Sequence, residues 1–191
     1  MTKESFNTKI NTLLEERDSP CLLALEGPCA SGKTTFGKEL GFPCVSMDDF
    51  FLSPEKRSDD IGGNIDKERF LNQVLLPLSM GKEVKYAPYL CHSGEYGAEI
   101  TLPPSPLLVV EGVYSLLPQF RDFYQMKVFL SASWEERKKR LLARGGEELL
   151  TQFEKEWIPR ENRYFQTYQV KESCDFFFET DGVERFIEQN K

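Results

Sequence analysis

"LALEGPCASGKTTFGKEL", residues 23–40, is an apolar run broken by two glycines, a lysine and two threonines before a polar and apolar alternation resumes. The run "CLLALEG" (21–27) has the pattern of a strand buried on both faces of a parallel sheet, and 33–40 that of a helix. Between them "GPCASGKT" fits G-x-x-x-x-G-K-[ST] at Gly27, Gly32, Lys33 and Thr34, in the strand, loop and helix order that the pattern requires. Glycines let the backbone wrap a phosphate with consecutive N–H groups pointing inward, and the helix N-terminus adds the positive end of its dipole. Lys33 supplies a mobile charge for the β and γ phosphates, and Thr34 a hydroxyl for Mg²⁺. Gly27, Pro28, Cys29, Ala30, Ser31, Gly32, Lys33, Thr34 and Thr35 are therefore expected to hold a nucleoside triphosphate. Cys29 fills a position that the pattern leaves open. A thiol beside a helix N-terminus can have a lowered pKa and become oxidisable; a small residue that fits the loop is the simpler reading.

Further short apolar runs follow at 43–47, 107–112, 126–132 and 174–180. Helical patterns lie between most of them: 66–76 with Asp66 as N-cap, 115–123, 133–144, and 147–168 with a break near Pro159. A short amphipathic helix at 4–16 precedes them, carrying Phe6, Ile10, Leu13 and Leu14 and stopped by Asp18, Ser19 and Pro20. This alternation predicts an α/β protein with a five-stranded parallel sheet and helices on both faces. The stretch 81–106 changes character, with tyrosines, glycines, prolines and short alternating pieces, and is expected to form a hairpin or loop excursion beside the site. At 191 residues the chain is the size of one domain, expected over 1–191 with a helical lid at about 133–163.

A composition 40% hydrophobic and 29% charged is that of an ordinary globular protein. The net charge of -7 argues against a nucleic-acid partner, so an anion must be met by a local site. No apolar stretch is long enough to span a bilayer, and the first twenty residues carry acids where a signal peptide needs an apolar core. A cytoplasmic protein without a membrane partner is expected. Five scattered cysteines without a CxxC pair suit reduced thiols, and a single histidine, His92, cannot make a metal cluster alone.

Phosphoryl transfer needs a metal, a carboxylate to orient the acceptor hydroxyl and cations for the charge in flight. "SMDDFF" puts Asp48 and Asp49 at the end of the second strand, and "LLVVEG" puts Glu111 at the same edge of another, where ligands of open α/β sheets bind. "SWEERKKRLLAR" places Arg137, Arg140 and Arg144 on one helical face, either a solvated salt-bridged surface or a lid closing over phosphates.

The ordered set "GPCASGKTT", "SMDDFF", "GNIDKERF", "YAPYLCHSG", "LLVVEG" and "ERKKRLLAR" resembles the uridine kinase family of P-loop nucleoside kinases, within the wider group that includes phosphoribulokinase and bacterial pantothenate kinase. The resemblance runs over about residues 20–180. It implies a P-loop NTPase three-layer fold, ATP and Mg²⁺ as cofactors, and a small-molecule hydroxyl as acceptor, with uridine or cytidine leading. It further implies that Asp48 faces the 5′-hydroxyl and the metal, that Glu111 and Thr34 support the metal, and that Lys33 acts on the transferring group. Asp66 would meet the ribose and Tyr89 and His92 the base, with Phe51 beside them; Asp66 also reads as a plain N-cap and His92 as a loop histidine. Arg137 and Arg140 would act in catalysis, Arg137 also on the acceptor, and Arg144 on the nucleotide. A homo-oligomer is compatible with such kinases, though no stripe identifies an interface. The chain departs from the family at Asp49, where a serine is usual, at Phe51, where a tyrosine is usual, in lacking His-Pro near "NIDKERF", and in a shorter "YLCHSGEYG". These departures fall on the acceptor side and leave the ATP side intact.

Overall fold

A computed structural model describes residues 3–17 and 19–182; Asp18, expected to help stop the first helix, lies outside them. The elements run α1 (Lys3–Glu15), β1 (Cys21–Glu26), α2 (Lys33–Glu39), β2 (Cys44–Ser46), α3 (Lys67–Phe70) and α4 (Leu76–Ser79), the last two joined by a π turn at Leu71–Leu75. Next come β3 (Val84–Tyr86), β4 (Tyr89–Leu90), β5 (Glu95–Tyr96), β6 (Ile100–Leu102), β7 (Leu107–Glu111) and β8 (Met126–Ser131). The chain continues through α5 (Trp134–Gln152), α6 (Ile158–Thr167) and β9 (Phe176–Glu179).

Five strands form one parallel sheet in the order β2-β7-β1-β8-β9. Every residue of β1 and β7 is buried, as continuous apolar runs covered on both faces require. Side chains alternate between faces along β1. Leu22 and Ala24 join Val110, Phe70, Phe129 and Tyr164 in one core, while Leu23 and Leu25 join Phe6, Phe36, Val109 and Leu130 in the other. Strand order reverses at β1, with β2 and β7 on one side and β8 and β9 on the other, and ligands of such sheets bind outside the carboxyl ends at that reversal. The register places Leu25 beside Glu111 and Glu111 beside Ser46, so the phosphate-loop entrance, Glu111 and the "MDDF" turn share one edge.

The excursion at 81–106 forms two small antiparallel ladders, β3 with β6 and β4 with β5. The expected helix at 115–123 is instead a run of turns followed by a 3₁₀ helix at Pro118–Phe123. Pro118 forces this, because the residue before a proline is pushed out of the helical region, and Leu117 is extended (φ -53, ψ 144). The two helices expected at 133–144 and 147–168 are separated at Gly145 and Gly146, whose backbones are non-helical, and a second irregularity, a π turn at Phe153–Trp157, precedes Pro159. Among the described residues no helix is long and apolar enough to cross a membrane.

Gly27 is the tightest point of the fold. Its φ is +138, and a Cβ there would lie 1.9 Å from the backbone oxygen of Leu130 in β8. Gly41 also has positive φ (+75) but open space around it. Gly27→Ala should therefore cost about 3 kcal/mol or more, against about 1 kcal/mol for Gly41→Ala, read from urea midpoints of the two variants. Equal costs would show that the contact with β8 imposes no constraint.

Candidate active site

The phosphate loop, Gly27–Gly32, runs from the end of β1 into α2, and its lysine folds back over it: Lys33 Nζ donates to the carbonyls of Gly27 (2.8 Å) and Pro28 (2.9 Å). The loop borders a cleft of about 480 Å³, within the range of small-molecule sites. The same cleft is lined by Asp48, from the 3₁₀ turn Met47–Phe50, and by Glu111, from the end of β7. Thr34 Oγ1 donates to Glu111 Oε1 at 3.1 Å.

Asp48 lines the cleft and is exposed to the space within it, with protein packed closely around its carboxyl. Burial pushes its carboxyl above the usual aspartate range, against the opposing pull of Lys33 and Arg144. Burial raises Glu111 as well; Lys33 draws it down and the like charge of Asp48 pushes it up. Two carboxylates that repel each other beside a hydroxyl are a donor set of hard oxygens that a divalent cation relieves, which suits Mg²⁺. Among the described residues no group of three or more His, Cys, Asp or Glu is arranged as a self-contained metal cage. Mg²⁺ is commonly held by one or two carboxylates together with substrate phosphates, so the set fits that ion.

The three arginines divide. Arg137 Nε donates to the carbonyl of Cys29 (2.8 Å) and its NH2 to Cys29 Sγ (3.0 Å). Arg140 NH1 donates to the carbonyl of Ala30 (3.0 Å), and its NH2 to the carbonyl of Thr180 (2.8 Å) beyond β9. Both therefore brace the loop, and Arg140 also borders the cleft. Arg144 lines the cleft and makes no hydrogen bond or ion pair among the described residues.

Cys29 is buried, and its thiol is pushed up to about 11 by that burial first and by the charge of Glu161 next. The loop dipole does not make it a reactive thiolate.

Of the residues expected to meet an acceptor, Phe51 lines the cleft and stacks on Trp157 (5.9 Å between ring centres, 20° between planes). Asp66 caps α3, accepting from the N–H of Arg69 (3.0 Å), and pairs with the Arg69 guanidinium (3.5 Å). It is not on the cleft wall, nor are Tyr89, buried edge-on against Tyr96, and His92, an exposed turn residue. Asp49 faces the excursion, accepting from Tyr86 Oη at 3.0 Å.

Two acidic residues that sequence reasoning passes over hold the site together. Glu161 of α6, buried, accepts from the N–H of Cys29 (2.9 Å) and lies 3.8 Å from Arg137. Glu26, fully buried, accepts from the N–H of Gly27 (3.2 Å), the N–H of Leu116 (3.0 Å) and Tyr164 Oη (2.7 Å). A charge inside the apolar strand run was a visible signal for Glu26. Glu161 sits in a helix full of charges and had none.

Burial raises Glu26 from 4.5 to about 7 despite the three donors and the charge of Lys33. Because the folded value lies above the unfolded one, the unfolded chain binds fewer protons between these values. Stability from this group is complete below about pH 4.5 and is lost as pH rises through about 7. Wild type should thus lose roughly 2–3 kcal/mol between pH 4.5 and 8 on account of Glu26. Glu26→Gln should flatten that part of a urea-unfolding profile; an unchanged profile would remove Glu26 as its cause.

No protein-family model matches the chain. Among curated proteins, the inorganic pyrophosphatase TTM2 of Arabidopsis thaliana is 29% identical over 128 residues, 61% of this chain and 18% of that protein. The chain thus spans less than a fifth of that relative's length. Among solved structures it is similar to a possible uridine kinase from Bacillus stearothermophilus (TM-score 0.64, 19% identity, 91% of this chain and 99% of that one). It is also similar to a provisionally assigned fructose transport system kinase from Silicibacter sp. TM1040 (TM-score 0.68, 19% identity, 93% of this chain and 99% of that one). With its parallel sheet reversing at β1 and its glycine loop at that reversal, the chain has the three-layer α/β fold of the P-loop kinases.

Proposed function

We propose that the protein is an ATP- and Mg²⁺-dependent phosphotransferase that phosphorylates a hydroxyl of a small molecule, the 5′-hydroxyl of a pyrimidine nucleoside being the leading acceptor. The observation that carries the reading is one cleft in which the phosphate loop with Lys33 and Thr34 faces Asp48 and Glu111. A pyrimidine nucleoside rests on the sequence resemblance; pantothenate, nicotinamide riboside and sugar phosphates are the alternative acceptors. A nucleotide-dependent switch would leave Asp48 without an acceptor to orient.

Asp48 receives or orients the acceptor hydroxyl's proton, since a carboxylate within reach of the attacking oxygen is what this transfer requires. Lys33 leaves the carbonyls of Gly27 and Pro28 to meet the phosphates, a move that costs little because both sets of partners are acceptors. Glu111 and Thr34, with Asp48, would hold Mg²⁺, which when bound neutralises charge on the phosphate oxygens. Arg144 is the arginine with an uncommitted guanidinium in the cleft, and we assign it to the transferring phosphoryl group.

ADP release with ATP and Mg²⁺ should rise several-fold on adding uridine or cytidine. Phosphate release unaffected by any acceptor would favour the switch. Asp48→Asn should cut turnover by roughly 10²-fold or more while nucleotide affinity stays nearly intact; unchanged turnover would remove Asp48 from the reaction. Arg144→Ala should lower kcat by about 10²-fold without lowering Tm, whereas Arg137→Ala should lower Tm because it strips the brace from the loop. The opposite pattern would reverse the two roles.

A further inference from the structure

The turn that carries Asp48 is weakly closed on itself. It is a 3₁₀ helix of four residues, Met47–Phe50, and the bond that ends it, from Phe51 N–H to the carbonyl of Asp48, is long at 3.4 Å. Its shape therefore rests on ties from other parts of the chain. One is a backbone bond, Asp66 N–H to the carbonyl of Phe50 (2.7 Å). The rest meet at Phe50 and at Asp49, the residue next to Asp48.

Arg69 of α3 supplies most of them. Its NH2 donates to the carbonyl of Asp49 (2.6 Å) and its NH1 to the carbonyl of Ala87 (2.7 Å), just past β3. The guanidinium also lies over the rings of Phe50 (4.5 Å) and Tyr96 (5.0 Å). A planar fork that serves two carbonyls and stacks on aromatic rings is held in one orientation, so it can transmit position from one segment to another. From the excursion, Tyr86 Oη donates to Asp49 Oδ2 (3.0 Å), and the Tyr86 ring packs on Phe50 (5.1 Å between centres). Asp49 stands where the family resembled usually has serine, and its carboxylate is the group that the Tyr86 hydroxyl meets.

Asp48 lines the cleft, whereas Asp49, Arg69, Tyr86 and Tyr96 do not. Of two consecutive acids, one is thus turned to the cleft and the other is tied to the excursion.

We propose that Arg69 and the Tyr86–Asp49 hydrogen bond are positioning groups: they anchor the Met47–Phe50 turn to the 81–106 excursion and so fix where the Asp48 carboxyl stands in the cleft. They act through Asp48 and not on the reactants. The inference rests on the phosphotransferase reading and on the role given there to Asp48. Misplacing a reacting group by about 1 Å can cost on the order of 10²-fold in rate, so ties of this kind belong in kcat.

The test compares kcat and KM for ATP in wild type, Tyr86→Phe, Asp49→Ser and Arg69→Met, and then in Tyr86→Phe and Arg69→Met combined with Asp48→Asn. The acceptor is whichever of uridine, cytidine, nicotinamide riboside, pantothenate and ribose 5-phosphate the wild type phosphorylates best. Turnover is counted by label from the γ-phosphate of ATP, at a temperature below every variant's Tm. Tyr86→Phe removes a single oxygen atom, and it decides the matter alone if Arg69→Met does not fold.

Tyr86→Phe and Asp49→Ser should each lower kcat about 10-fold, and Arg69→Met more, while KM for ATP stays within about 2-fold. Added to Asp48→Asn, the same substitutions should change kcat by less than about 2-fold, because the carboxylate they position is already gone. Two outcomes overturn the inference and leave the phosphotransferase reading in place: kcat indifferent to Tyr86→Phe, or a loss of the same size with and without Asp48→Asn, which marks a merely structural role. If ATP binds and none of the five compounds gains label in the wild type, the phosphotransferase reading fails for these acceptors and the inference falls with it.

Discussion

Three donors from three parts of the chain converge on one carboxyl group sealed behind the phosphate loop. Gly27 belongs to the loop, Leu116 to the turn after β7, and Tyr164 to the last helix, and each gives its hydrogen to Glu26. Ionised, a group in such a place needs every one of these donors; unpaired, it would cost several kcal/mol. The segments that border the cleft are consequently held in register from the inside, before any ligand arrives. The phosphoryl transfer proposed for this site would leave the protein little covalent chemistry and depend on positions held beforehand, which is what this constraint supplies.

A second layer of ties acts from outside the loop. Glu161 takes the Cys29 N–H, while Arg137 and Arg140 hold the Cys29 and Ala30 carbonyls, and Arg140 also grips Thr180 past β9. Trp157, Glu161 and Tyr164 lie at helical spacing on one face and meet Phe51, the loop and Glu26 in turn. The π turn and α6 thereby link Phe51, the phosphate loop and the buried carboxyl. Charge lining the cleft is mixed accordingly: the carboxylates of Asp48 and Glu111, Lys33 at the start of α2, and Arg140 and Arg144 of α5.

The loop, the sheet and its edge could be read from the chain because they rest on local pattern. Continuous apolar runs announce doubly covered strands, and the glycine and lysine spacing needs a strand before it and a helix after it. The placement of Asp48 and Glu111 at that edge followed, since strand ends define the ligand edge of such a sheet. The arginine row was legible as a helical face but not in its division of labour, because spacing cannot say which guanidinium reaches a loop carbonyl from more than a hundred residues away. Glu161 carries no sequence signal: it is an ordinary helix charge until burial and partners are known. The expected helix at 115–123 failed at Pro118, where a local steric rule overrode the apolar pattern.

The proposed reaction in this cleft moves a phosphoryl group from a nucleotide to a second molecule. It is tested most directly by following label from the γ-phosphate of ATP with Mg²⁺ and uridine or cytidine present. Label should appear in a phosphorylated nucleoside, in step with ADP, and be lost when Asp48 is replaced by Asn. Label recovered only as inorganic phosphate, at a rate indifferent to the nucleoside, would contradict it.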